Sequence, residues 1–168
     1  KYSNFSYKHQ MKFHGNGKNL WEIHYKGNDM KNTVVVNLLA GPGAGKSTLA
    51  AGIFEGLKLS GIDSEIITEF AKYATWQKNF TALNDQFYTT AKQHHREFVV
   101  LGQVDVMVTD SPLILGILYY NDPNKKKEQA YFDYITETFK ERDNLTYFVE
   151  RIKEYNPKTT ISFREIWF

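Results

Sequence analysis

Residues 38–50 read LLAGPGAGKSTLA and directly follow the apolar run VVVN. Few architectures place flexible backbone and a cation at the end of a buried strand. Residues 33–40, TVVVNLLA, are β-branched and apolar on both faces, the pattern of a central parallel strand covered by helices. Residues 46–61 follow with helical spacing and a closing glycine. Strand, glycine loop and helix in that order make a phosphate cradle. Glycines let backbone N–H groups curl around anionic oxygens, and the helix start adds a positive field. The usual pattern, G-x-x-x-x-G-K-[ST], is met from Ala40 to Ser47 except that alanine replaces the first glycine. Gly41 is expected to supply the missing freedom. Gly41, Gly43, Ala44 and Gly45 then form the cradle of an ATP site, with Lys46 reaching the β- and γ-phosphates and Ser47 ligating Mg²⁺.

The rest of the chain alternates strands and helices, which predicts a parallel sheet with helices on both faces. Residues 64–70 and 145–151 read as further strands, as does VDVMVTDSP at 104–112. Residues 81–101 read as one long helix, with Leu83, Phe87, Ala91, His94, Phe98 and Leu101 at three- and four-residue spacing on one face. A short helix at 113–120 and another starting near Asp122 and Pro123 complete the set. Residues 20–26, LWEIHYK, alternate like a strand, and 160–168, TISFREIWF, also look extended. These two are expected to pair with each other or with a partner chain, so a dimer is one form left open. Residues 1–30 thus read as an appended arm and 31–168 as the catalytic domain.

Composition removes several function classes. With 168 residues, one domain is expected. No apolar run is long enough to span a membrane and the N-terminus lacks a signal-peptide core. Cysteine is absent, which excludes disulfides and thiolate metal sites and fits a cytoplasmic protein. A formal charge of +2 is too small to imply nucleic acid by itself.

Three acids close expected strands: Glu69, Asp110 and Glu150. A motor ATPase needs a second acid beside the magnesium aspartate to polarise water, and Asp110 is followed by Ser111 and Pro112 instead. A switch GTPase needs Asn-Lys-x-Asp after a strand, and FVERIKEY supplies none. A kinase needs a base, an acceptor pocket and cations over the transferring phosphoryl group. Glu69 is the expected base, Asp110 the support for Mg²⁺, and Arg151, Lys153 and Lys158 the cations of a closing lid. Lys72, Tyr73 and Trp76 are expected at the acceptor, the two rings flanking a planar group; core packing competes for Trp76 and Phe80. Tyr88, Gln93 and Arg96 face either the acceptor or solvent. His94-His95 lacks the spacing of a metal pair and reads as half-buried packing. Lys125–Lys127 reads as a solvated helix entry.

Taken together, NLLAGPGAGKSTLAAGIFEGLK, EIITEFAKYATW, AKQHHREF, VDVMVTDSPLILGILY and YFVERIKEYNP resemble a family of small P-loop kinase-like proteins of tailed bacteriophages. That family is related to nicotinamide-riboside kinase domains and, more distantly, to deoxynucleoside kinases; some phage relatives phosphorylate 5-hydroxymethyluracil within DNA. The likeness implies a three-layer α/β P-loop NTPase fold of nucleoside or nucleotide kinase type, with a parallel central sheet. It implies triphosphate binding by Gly43, Gly45, Lys46, Ser47 and Thr48, and acid roles for Glu69 and Asp110 in which either is the base. Location in the host cytoplasm follows if the chain is phage-encoded. Glu69 and Trp76 look similar to the glutamate and tryptophan that follow the second strand of deoxynucleoside kinases. Two departures stand out. Asp110-Ser111-Pro112 replaces Glu-Arg-Ser and so lacks a substrate arginine. Lys158 runs directly into TTISFREIWF where the family continues into Gly-Arg, a glutamate-rich helix and a last strand, which leaves the lid and fifth core strand in doubt. The expected activity is transfer of the ATP γ-phosphoryl group to a hydroxyl of a nucleoside, a nucleotide or a modified base in DNA. A nucleic-acid-associated ATPase and a nucleotide-binding module without turnover are the alternatives.

Overall fold

The computed structural model describes residues 13–15 and 32–151. Its strands are β1 (Phe13–Gly15), β2 (Val34–Leu39), β3 (Ser64–Ile67), β4 (Val106–Thr109) and β5 (Asp143–Val149). Its α-helices are α1 (Lys46–Leu59), α2 (Phe70–Trp76), α3 (Phe80–Asn84), α4 (Gln86–Phe98), α5 (Gly116–Tyr119) and α6 (Lys125–Lys140). A 3₁₀ turn, Leu113–Leu115, leads into α5. The sheet order is β1-β5-β2-β4-β3. β2 runs parallel to both β4 and β5, and β3 runs parallel to β4. β1 adds an antiparallel edge, Phe13 opposite Val149, so part of the expected arm joins the sheet.

β2 is central because both its faces are covered, one by α1 and the other by the turn that follows α4. Val36 and Leu38 join Val106, Val108, Leu145 and Val149 on one face, packed against Ala50 and Leu57 of α1. Val35 and Met107 point the other way with Ile67, against Val100, Leu101 and Val104. Each such side chain contributes about 1.5–3 kcal/mol when fully buried. A third cluster, Leu113, Tyr131 and Ile135, seats α6. The result is an α/β arrangement, a four-strand parallel sheet flanked by helices, compatible with three layers. One polar residue interrupts β2: buried Asn37 donates from Nδ2 to Asn144 Oδ1 at 2.8 Å and to the Val35 carbonyl at 3.1 Å. Asn144 Nδ2 in turn donates to the Phe139 and Arg142 carbonyls at 2.5 and 3.1 Å.

Several expected elements change. The helix at 81–101 is two helices, because Asp85 is extended (φ −101°, ψ 90°) and caps α4 by accepting the Tyr88 N–H at 2.9 Å. Its expected apolar face divides as well: Leu83 is buried, but Phe87 and Phe98 are 64% and 62% exposed. The buried face is polar, carrying Thr89, Thr90, Gln93 and Glu97. Those side chains find partners in the elements they meet, which a polar helix face requires. Glu97 pairs with Arg142, both side chains almost wholly buried. β3 ends at Ile67 rather than residue 70, since Glu69 already precedes α2 as its N-cap. β5 spans Asp143–Val149, not 145–151, and α6 begins after Asn124, whose Oδ1 accepts the Lys126 N–H at 3.1 Å. The expected strands at 20–26 and 160–168, and Lys153 and Lys158, lie outside the described residues. Among the described residues no helix is long and apolar enough to cross a membrane.

Candidate functional site

Parallel strands bring their carboxyl ends to one edge, and there four chain segments meet. The first is the loop from β2 to α1. Gly43 and Gly45 take left-handed φ values of 72° and 91°, which a side chain resists. Gly45 is also the N-cap of α1 and provides no side-chain cap, so the opening N–H groups of the helix, at Lys46, Ser47 and Thr48, face the loop. Such a start attracts anions. Gly41 differs from expectation. Its φ is not left-handed, and a Cβ there would meet Arg151 Nη2 at an ordinary 3.7 Å, so it supplies no special freedom. Ala44 is half-buried between the two left-handed glycines.

Lys46 folds back over this loop, donating from Nζ to the Ala40 and Gly41 carbonyls at 2.9 and 3.1 Å. Burial lowers the ammonium pKa; Glu69 and Asp110 raise it, and Arg151 lowers it further. The four expected catalytic residues are therefore near enough to act on one another. The Arg151 guanidinium, after β5, donates to the Pro42 carbonyl of the loop. Asp110, after β4, is buried and accepts the Ser47 hydroxyl at 2.5 Å through Oδ2. Its Oδ1 is buried without a hydrogen-bond partner. That orphaned oxygen beside a hydroxyl suits Mg²⁺, which takes one or two protein oxygens and fills its other positions with phosphate and water. Among the described residues no group of three or more His, Cys, Asp or Glu could form an all-protein metal cage.

Glu69 stands between β3 and α2. Burial, then the charge of Asp110, raises its carboxyl to about 7, with Lys46 and Lys72 opposing. It lines a pocket with about 580 Å³ of atom-free space, partly open to solvent. Phe70, Leu83, Leu113 and Tyr119 supply apolar wall, and Gln86, Thr90 and Gln93 line it from α4. Gln93 Oε1 accepts the Phe70 N–H at 2.9 Å, while its Nε2 is buried without a partner. Burial and the nearby Glu69 both raise the Tyr119 phenol. Gly116 closes one wall. A Cβ there would meet Tyr131 Oη at 2.7 Å and Thr90 Oγ1 at 2.8 Å, two hydroxyls that share a hydrogen bond of 2.6 Å.

Lys72, Tyr73, Trp76 and Arg96 do not line this pocket. Arg96 donates to the Thr68 carbonyl at 3.1 Å and stands over the Phe70 and Tyr73 rings. Trp76 and Phe80 are exposed rather than core. Glu150 is exposed, as are Lys125, Lys126 and Lys127. Phe70, Tyr119 and the 113–116 turn escaped sequence reading. One usable signal was the polar stripe Gln86, Thr89/Thr90, Gln93, Glu97, whose three- and four-residue spacing marks a single helix face. Comparison with family models, with curated proteins and with solved structures finds no match to this chain.

Proposed function

We propose that this chain is a P-loop phosphotransferase that moves the γ-phosphoryl group of ATP to a hydroxyl of an acceptor seated beside Glu69. The single observation that carries the reading is the double setting of Glu69: it feels the charges of Lys46 and Asp110, and it lines the pocket. A base poised near neutrality and shared by a phosphate cradle and an acceptor pocket is what hydroxyl phosphorylation needs. The resemblance to phage kinase-like proteins supports the same reading, with a nucleoside, a nucleotide or a modified base in DNA as acceptor.

In this mechanism Lys46 leaves the loop carbonyls for the β- and γ-phosphate oxygens. The loop amides and the start of α1 hold the remaining phosphate charge. Arg151 approaches the transferring group from the end of β5. Glu69 removes the acceptor proton as the acceptor oxygen bonds to the γ-phosphorus, the bond to the bridging oxygen breaks, and ADP leaves. Ser47 and Asp110 would hold Mg²⁺, which supplies neutralising charge to the β- and γ-phosphates. The 113–119 wall and Phe70 screen the acceptor from water, so transfer to solvent is disfavoured.

The test is transfer of labelled γ-phosphate to nucleosides, to nucleoside monophosphates and to DNA containing hydroxymethylated pyrimidine. A labelled acceptor that disappears in Lys46→Ala and Glu69→Gln supports the proposal. Release of inorganic phosphate alone, with no labelled acceptor in any panel, overturns it and favours an ATPase.

A further inference from the structure

Along α2 and α4 runs an unbroken row of rings and cations. Lys72 Nζ lies 5.2 Å from the Trp76 ring, which meets Tyr73 edge-on at 5.6 Å. The Arg96 guanidinium stands 4.8 Å from Tyr73 and 5.4 Å from Phe70. Phe70 meets Tyr88 at 5.9 Å, and Lys92 Nζ lies 5.4 Å from the Tyr88 ring. Local spacing builds this row. Phe70, Tyr73 and Trp76 recur every third residue of α2, and Tyr88, Lys92 and Arg96 every fourth residue of α4, so each set shares a helix face.

The row is exposed where it leaves the pocket: Trp76 is 60%, Tyr73 42% and Tyr88 40% accessible. Its members include three cations and no carboxylate. Its inner member, Phe70, is also a wall of the pocket that holds Glu69. A large exposed aromatic set needs a partner to account for it. An apolar protein surface would strip water from three positive charges without compensating them. A nucleic-acid duplex keeps its base faces stacked inside itself, so it offers phosphates and groove edges but no free face for a ring. Unpaired nucleotides offer both chemistries at once, base faces for the rings and phosphates for the cations.

We propose that the Lys72–Trp76–Tyr73–Arg96–Phe70–Tyr88–Lys92 row is a docking track for a single-stranded polynucleotide, leading past Phe70 to the pocket. Strand binding itself is independent of catalysis; only the statement that the track delivers the acceptor hydroxyl rests on the kinase reading. The track also gives Lys72, Tyr73, Trp76 and Arg96 a role outside the pocket.

The experiment is fluorescence anisotropy of a labelled oligothymidylate with the full chain and no nucleotide. Trp76→Ala is expected to weaken binding by roughly 5- to 150-fold, the range for one lost base stack, while Trp76→Phe keeps most of it. Lys92→Gln is expected to reduce the slope of log affinity against log salt by about 0.7, the single-strand value for one phosphate contact. Equal affinity for an abasic strand of the same length, or for a duplex, would overturn the proposal, as would unchanged binding by Trp76→Ala. Far-ultraviolet circular dichroism establishes that the variants are folded. If Trp76→Ala loses the strand but keeps transfer to a free acceptor, both readings stand. Strand binding that needs Trp76 without any phosphorylated product retains the track and removes the kinase; product formation with Trp76-independent strand binding does the reverse.

Discussion

Glu69→Gln should make the protein more stable and less active, by an amount that depends on pH. In the folded chain burial and Asp110 raise the carboxyl from 4.5 to about 7. Between those values the folded state keeps a proton that the unfolded chain has released, so stability falls as pH rises. At about 1.36 kcal/mol per unit, the whole shift corresponds to roughly 3 kcal/mol, fully felt above pH 7. Glutamine resembles the protonated acid and does not titrate. The variant should therefore match the native protein below about pH 4, gain under 1 kcal/mol at about pH 5, and gain up to about 3 kcal/mol at about pH 8. Urea unfolding at several pH values measures this, provided the denaturant slope is unchanged. Phosphoryl transfer by the native protein should rise with pH through about 7 and be absent in the variant. A stability difference of equal size at both ends of the range would refute the argument, because it would mean that Glu69 ionises as easily folded as unfolded.

Three further outcomes follow from the geometry. Arg142→Met should cost about 3–5 kcal/mol in urea unfolding by leaving the buried Glu97 uncompensated, whereas Arg142→Met with Glu97→Leu should recover most of it. Gly116→Ala should cost about 1–3 kcal/mol in the same assay, because the new methyl meets both Thr90 and Tyr131; adding Tyr131→Phe, which removes the nearer atom, should restore part. Gly45→Ala forces a side chain to φ 91°, so a loss of about 1–2 kcal/mol in stability, together with weakened ATP binding by calorimetry, is expected.

What could be read in advance was local. Strand, loop and first helix occupy consecutive residues, so their order from residue 34 to 59 is written in near neighbours. The parallel alternation was legible for the same reason, since β2 is apolar on both faces. The α3–α4 break is masked by an apolar three- and four-residue spacing that runs through it, yet the capping aspartate Asp85 wins by satisfying an otherwise orphaned N–H. The buried side of α4 is not legible from an apolar pattern because its residues are polar. Thr90, Gln93 and Glu97 go inside since Tyr131, Phe70 and Arg142 answer them, partners 23 to 45 residues away, while Thr89 donates to the nearby Ala82 carbonyl. The pocket wall at 113–119 hides in a leucine-rich run that looks like ordinary core. Tyr73 and Trp76 are close to Glu69 in sequence, but neither lines the pocket that Glu69 lines.

The buried amide pair of Asn37 and Asn144 carries a consequence for how the chain finds its arrangement. Valines and leucines fill both sides of the central strands, so sliding β2 along β5 would still bury oily side chains, and greasiness alone is a poor ruler. Slippage would instead maroon an amide in a dry interior, a penalty of about 1–3 kcal/mol. Because Asn144 also grips the end of α6, the same tooth that measures out the sheet tells the last helix where to stop.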